Sequence, residues 1–265
     1  MASTDDLERE LEYHEKLYSG FAQTHFSKPA VRAMRRHLVD RIVKAAALTP
    51  ASRVLSIGCG IADTEILLAP FVREVVGIDL SPTAIEQARA DAERAGVPNF
   101  RGIAGTLESQ IDSLGDFDAV IAIFFLHHLP DAPLAAFPAH IRKLLRPSGT
   151  FYALDPSRYR LSGFIGELLF PRLMARYQSP GERQLSPGET SALFSPEAGF
   201  ASRFGYYDFV STPLAGLFPS FAAGYQITRA FDELLIRAPG LRRLSSNFEV
   251  VAKASQSIPP DHLQI

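Results

Sequence analysis

Apolar positions near the start of the chain recur at three- and four-residue steps. Val31, Met34, Leu38, Ile42 and Ala45 form one stripe, with Arg32, Arg35, Arg36 and Arg41 between them. This spacing predicts an amphipathic helix over 29–47 whose arginines make a solvated face. A second helix is expected over 5–18, and Thr49-Pro50 stops the longer one. Beyond residue 50 the pattern changes. Short β-branched and apolar runs occur at Arg53–Ile57, Glu74–Ile78, Asn99–Ala104, Asp118–Phe124 and Thr150–Leu154. Such runs suit strands covered on both faces, as in a parallel sheet. Helical segments separate them at 63–70, from Ser81-Pro82 to Gly96, and at Pro133–Leu145 despite Pro138. Ser81 suits an N-cap and Pro82 the first helical position. Strand–helix alternation of this kind predicts a doubly wound, Rossmann-like α/β domain with right-handed crossovers.

The last third is less regular. An apolar helix is expected over 161–177, a loop over 178–188, and a short helix over 189–198 ending at Gly199. Phe204–Val210 and Phe248–Ala252 read as strands, with a mostly apolar segment, 213–238, between them. These segments look like insertions at the edge of one sheet. The expected division is therefore one domain of 1–265: an N-terminal helical lid (1–48), a core (50–156), insertions with a strand (157–246), a final strand (247–255) and a tail (256–265).

Composition narrows the function. The 265 residues are 46% hydrophobic and 21% charged with a formal charge of −2, which suits a globular domain and gives no general pull toward nucleic acid. The one cysteine, Cys59, excludes an internal disulfide and fits a reducing, cytoplasmic setting. The acidic start of the chain is unlike a signal peptide, and no run of about 20 apolar residues is present. Histidine and cysteine spacing matches no zinc site, so no metal is expected.

The chemistry concentrates in Val54-Leu-Ser-Ile-Gly-Cys-Gly-Ile-Ala-Asp63 and Val75-Val-Gly-Ile-Asp-Leu80. Gly58 and Gly60 end a strand and open a helix, where glycine permits a sharp turn and close approach of a ligand. Asp79 ends the next strand, where a carboxylate can accept both hydroxyls of a ribose. Together they describe a nucleoside site. A dinucleotide fingerprint would place its last glycine at Asp63, whose carboxylate would repel a diphosphate. S-adenosylmethionine has no phosphate; it carries a sulfonium and an ammonium, which tolerate a nearby acid.

The segments LSIGCGIAD, GIDLSPTAIEQARADAERAG, FDAVIAIFFLHHLPD and LLRPSGTFYALDP, in this order over roughly 50–156, resemble the class I S-adenosylmethionine-dependent methyltransferases. The similarity is to the type 11 group, which includes quinone-biosynthesis enzymes. The resemblance implies seven strands in the order 3-2-1-4-5-7-6 with strand 7 antiparallel. It also implies S-adenosyl-L-methionine as cofactor and S-adenosyl-L-homocysteine as product. On it, Gly58, Cys59 and Gly60 line the methionine end, Asp79 holds the ribose and Leu80 packs on the adenine. Thr106 and Leu107 meet the adenine rim, and Phe124 and Phe125 flank the sulfonium. Tyr18, with Tyr13, His14 and His25, belongs to a lid. The chain departs from the family at Ser56 and Thr106, where acids are usual, and Ala62 replaces a third glycine at little expected cost. Either affinity is modest, or other groups such as Asp63 compensate for the two missing acids.

Methyl transfer requires a nucleophile held close to, and in line with, the departing sulfur. The candidate base is His127, His128 or Asp155, at the carboxyl ends of strands four and five. The apolar insertions 161–177 and 213–238 suggest a roof over a small hydrophobic acceptor; packing on the sheet or a homodimer contact is their other role. Two functions compete with this one. A non-catalytic or regulatory cofactor-binding protein is favoured by Ser56 and Thr106. A nucleic-acid methyltransferase is suggested only by Asp155-Pro-Ser-Arg-Tyr159, which lies at the end of the wrong strand.

Overall fold

The computed structural model describes residues 11, 12, 15, 18, 21–169 and 182–255. Most of the helix expected over 5–18, with Tyr13 and His14, lies outside the described residues, as do the far end of the 161–177 helix and the tail from 256 onward.

Seven strands form one sheet: β1 (Arg53–Ile57), β2 (Glu74–Asp79), β3 (Phe100–Ala104), β4 (Phe117–Ile123), β5 (Leu145–Pro156), β6 (Phe200–Asp208) and β7 (Asn247–Ala254). Their order is β3-β2-β1-β4-β5-β7-β6, as the resemblance implied. Neighbours pair in parallel except β7, which is antiparallel to both β5 and β6. Side chains alternate between the faces. Leu55, Ile57, Val76, Ile78, Val120 and Ala122 pack with Phe137 and Ile141 of helix Asp131–Leu144. Val54, Val75, Ala119 and Ile121 pack with Leu38, Val39 and Ile42 of helix Pro29–Ala45. Each of the valine, leucine, isoleucine and phenylalanine side chains among them contributes about 1.5–3 kcal/mol of burial free energy, so both apolar periods in the sequence are spent on this one sheet.

Helix Pro29–Ala45 is more enclosed than a surface helix. The apolar segment after β6 folds into helices Ser211–Leu217 and Ala222–Leu235. Tyr225 and Ala215 pack on Ala30, Val31 and Met34, and the Ala30 N–H donates to the Pro219 carbonyl at 2.8 Å. The arginines expected on a solvated face are therefore divided. Arg35 pairs with Asp63 at 2.7 Å, and Arg41 binds Glu249 on β7, which also accepts from the Tyr152 hydroxyl at 2.9 Å. Both flank the buried stripe and reach back toward the sheet.

Three expected boundaries move. The short helix is Pro187–Leu193, with Ser186 as its N-cap accepting from the Glu189 N–H at 3.3 Å. Ser186-Pro187 repeats the start signal of Ser81-Pro82, but its setting among prolines and glycines reads as loop. β6 begins at Phe200, immediately after Gly199 turns the chain with φ +82°. β5 begins at Leu145, without an intervening loop after the helix.

β1 lies between β2 and β4, and the chain leaves β1 for one neighbour and β4 for the opposite side. Their carboxyl ends form the crevice where doubly wound sheets bind ligands. β6 runs parallel to β5, so helices Leu161–Leu169 and Ser211–Leu217 start from that same edge. Among the described residues, no helix is long and apolar enough to cross a membrane.

Candidate active site

The loop after β1 holds three residues at positive φ: Gly58 (+69°), Gly60 (+53°) and Ala62 (+59°). The N–H groups of Gly58 and Cys59 both donate to the Ile78 carbonyl, at 2.8 and 3.1 Å, folding the loop against the end of β2. Ala62 corrects the expectation that losing the third glycine costs little: a side-chain-bearing residue in this region is strained by roughly 1–2 kcal/mol. Phe124, at φ +54°, is a second strained residue at the same edge.

Aromatic side chains lie directly on the bare loop. A Cβ on Gly58 would stand 2.4 Å from the Phe125 ring, and one on Gly60 would stand 2.5 Å from the Tyr18 hydroxyl. Tyr18 is buried, and burial together with the Asp79 charge raises its phenol well above the ordinary range. Three residues earlier, Glu15 accepts from the hydroxyls of Ser81 and Thr83. Gly60→Ala is therefore expected to lower the melting temperature by about 4 °C or more, from backbone strain and contact with Tyr18. Ala62→Gly should leave it unchanged or raise it. A thermal melt of both variants checks the pair, and a harmless Gly60→Ala would contradict this loop geometry.

Asp79 is buried at the carboxyl end of β2. One of its oxygens accepts from the Gly60 N–H at 2.7 Å and the other from the Ser81 N–H at 2.9 Å. It thus joins the glycine loop to the start of helix Pro82–Arg94. Leu80 follows it, half-buried. Cys59 is fully buried against Gly77, where an added Cβ would meet its Sγ at 2.7 Å, and burial pushes its thiol well up. That is the environment of a packed, unreactive side chain.

Other residues expected at the site have partners within the chain. Asp63 is held by Arg35, whose guanidinium also lies 5.8 Å from the Phe124 ring centroid. Thr106 caps helix Leu107–Gln110, accepting from the Ser109 N–H at 3.2 Å. Leu107 is buried in the main core. His25 is half-buried, and burial lowers its pKa. Ser56 donates to Glu65 Oε1 at 2.6 Å. Glu65 is 2% exposed, its Oε2 has no hydrogen-bond partner, and burial raises its carboxyl to about 7. Nothing in the sequence singled out Glu65, because a glutamate in the first turn of a helix is ordinary.

At the far side of Phe125, His127 and Asp155 meet. Asp155 Oδ1 lies 2.8 Å from His127 Nδ1 and accepts from the His127 N–H at 3.3 Å. Asp155 is 1% exposed, and burial pushes it up to about 8. The His128 ring lies against that of His127, tilted by 39° with centroids 4.1 Å apart. The Arg183 N–H donates to the His127 carbonyl at 2.9 Å, which brings in Glu182. Ligand-capable atoms of His127, His128 and Glu182 lie within 4.8 Å of one another, a grouping invisible to sequence spacing.

An adenosyl group with a cationic amino-acid end fits these residues: glycines that leave the loop backbone bare, the Asp79 carboxylate beside them, and a buried acid with an orphaned oxygen. Comparison with known proteins agrees. Residues 54–149 match the methyltransferase domain family. The chain is 29% identical over 171 residues to the uncharacterised methyltransferase YcgJ of Bacillus subtilis, a match covering 63% of the chain and 62% of that protein, less than two thirds of its length. It is 29% identical over 192 residues to a ubiquinone biosynthesis O-methyltransferase of Xanthomonas campestris, covering 66% of the chain and 79% of that protein. In fold it is similar to the magnesium protoporphyrin IX methyltransferase ChlM of Synechocystis, with a TM-score of 0.60 at 16% identity over 94% of this chain and 100% of that one. Residues 54–149, with the glycine loop and its acid, thus form a methyltransferase domain, and the order of the seven strands is that of the class I S-adenosylmethionine-dependent fold.

Proposed function

We propose that this protein transfers a methyl group from S-adenosylmethionine to a small hydrophobic acceptor. The observation that carries this is the Gly58–Gly60 loop bonded to the Asp79 carboxylate at the switch point of the sheet. When bound, S-adenosylmethionine supplies an electrophilic methyl group that leaves its sulfonium by in-line displacement. Asp79 orients the ribose, and Tyr18 with Phe125 excludes water from the loop. His127, aligned by Asp155, takes the acceptor's proton where the nucleophile carries one.

Two features support a hydrophobic acceptor. Helix Leu161–Leu169 leaves the carboxyl edge with Phe164 and Leu168 exposed, at 66% and 68%. The segment after β6, from the same edge, exposes Phe218, Phe221, Ile227 and Phe231. Apolar surface of this extent is uncommon on a soluble domain without a ligand or partner. The X. campestris relative is named for O-methylation in ubiquinone biosynthesis, which matches this acceptor class.

Incubation with methyl-labelled S-adenosylmethionine and a panel of hydrophobic phenols and quinols should move label into at least one organic-soluble product, with none into bulk RNA. Binding of the cofactor without transfer to any member would oppose this acceptor class and favour a regulatory role. Absence of cofactor binding would remove the proposal.

A further inference from the structure

Glu65 is a buried acid that no step above uses. It stands just after the glycine loop, where the Ile66 N–H already donates to the Ala62 carbonyl at 3.0 Å. Its Oε1 is held by the Ser56 hydroxyl at 2.6 Å, two residues before Gly58, while its Oε2 is buried and unbonded. Its charge is felt at Cys59, the middle residue of the loop. A carboxylate is rarely buried with one oxygen orphaned unless a cation or donor completes it. The charged groups facing it are Asp63, which repels it, and Arg35, which is bound to Asp63. No cation of the chain is bonded to it among the described residues.

We infer that Glu65, held in place by Ser56, binds the ammonium of the methionyl end of the cofactor through its free oxygen. This rests on the methyltransferase reading. The chain thereby carries this acid on the helix after the loop, while β1 has Ser56 where an acid is usual. Ser56 fits that arrangement: its hydroxyl is short enough to admit the Glu65 carboxylate and donates to it, where an acid at 56 would repel it. Glu65 binds but does not react, and Asp79 acts separately on the ribose.

The two ends of the cofactor can be probed apart. S-adenosylhomocysteine has both, whereas 5′-methylthioadenosine has the ribose and base without the amino acid. Calorimetry on the full chain should show Glu65→Gln binding S-adenosylhomocysteine about ten- to a hundredfold more weakly than the parent, with 5′-methylthioadenosine unchanged. Adding Ser56→Asp to Glu65→Gln should recover most of the loss, since it returns a carboxylate to the same place. A purely structural Glu65 would weaken both ligands and would not be rescued.

A second readout needs no variant. With Glu65 near half-protonated at neutral pH in the free protein, ammonium binding should expel that proton. Affinity for S-adenosylhomocysteine should then rise as pH passes upward through about 7 and level off above. Titration in two buffers of different ionisation enthalpy should show proton release with this ligand and none with 5′-methylthioadenosine. Equal affinity of parent and Glu65→Gln for S-adenosylhomocysteine, or no proton release, overturns the assignment and leaves the methyltransferase reading standing. Failure of the parent to bind either ligand overturns both.

Discussion

Asp79→Ala should weaken binding of S-adenosylmethionine and S-adenosylhomocysteine by at least about a hundredfold, beyond reach in a routine calorimetric titration. Two charge-assisted hydrogen bonds to the ribose, at about 1.5–3 kcal/mol each, account for that factor. The same carboxylate also binds the Gly60 and Ser81 N–H groups, so its loss disturbs the loop that meets the ligand. Leaving those donors unpaired costs about 1–3 kcal/mol each, a large share of the 5–15 kcal/mol typical of a domain. The variant should therefore melt well below the parent, and binding should be measured at low temperature with folding checked by circular dichroism. Asp79→Asn keeps one acceptor and should fall between. Folded Asp79→Ala that binds within about threefold of the parent would place the ribose elsewhere.

The parts of this protein that were legible in its sequence are those governed by local rules. Strand-length apolar runs with glycine or an acid at their ends located the first five strands, since burial on both faces leaves a signal within a few residues. The turn at Gly58–Gly60 was legible because positive φ is the reason for glycine there. Ala62 was misjudged because a side chain can be forced into the same region, and only the backbone shows it. Side-chain pairings across the fold left no local trace. Arg35 with Asp63, Arg41 with Glu249 and Ser56 with Glu65 are separated by 28, 208 and 9 residues. Asp63 was among the groups expected to compensate for the missing acids, yet its charge is taken up by the helix that covers the sheet, while Glu65 is buried beside Ser56. Glu182 lies near the two histidines where its neighbour Arg183 bonds the His127 backbone, a contact that spans 56 residues of chain.

His127→Ala should lower kcat by about a hundredfold for a phenolic acceptor, the scale of one general base, with little change in KM. The effect should shrink toward none for a nucleophile that reaches the site already ionised. Asp155→Asn tests how the pair is held, because its consequences differ for stability and for catalysis. Burial raises the Asp155 carboxyl from 3.8 to about 8, so the folded protein keeps a proton that the unfolded chain gives up. The resulting stabilisation is complete below the ordinary value of 3.8 and is lost as pH climbs through about 8. Chemical denaturation across that range should show the parent weakening toward alkaline pH and Asp155→Asn, whose amide is neutral throughout, weakening less. A parent profile as flat as that of Asp155→Asn would mean that Asp155 is ionised in the folded protein near its ordinary value and accepts from the Nδ1–H of a neutral His127. In that arrangement Nε2 of His127 would still be open to the acceptor's proton, and Asp155 would hold the ring as a carboxylate; it is an unchanged kcat in His127→Ala that would move the general base elsewhere, with His128 the next residue to replace.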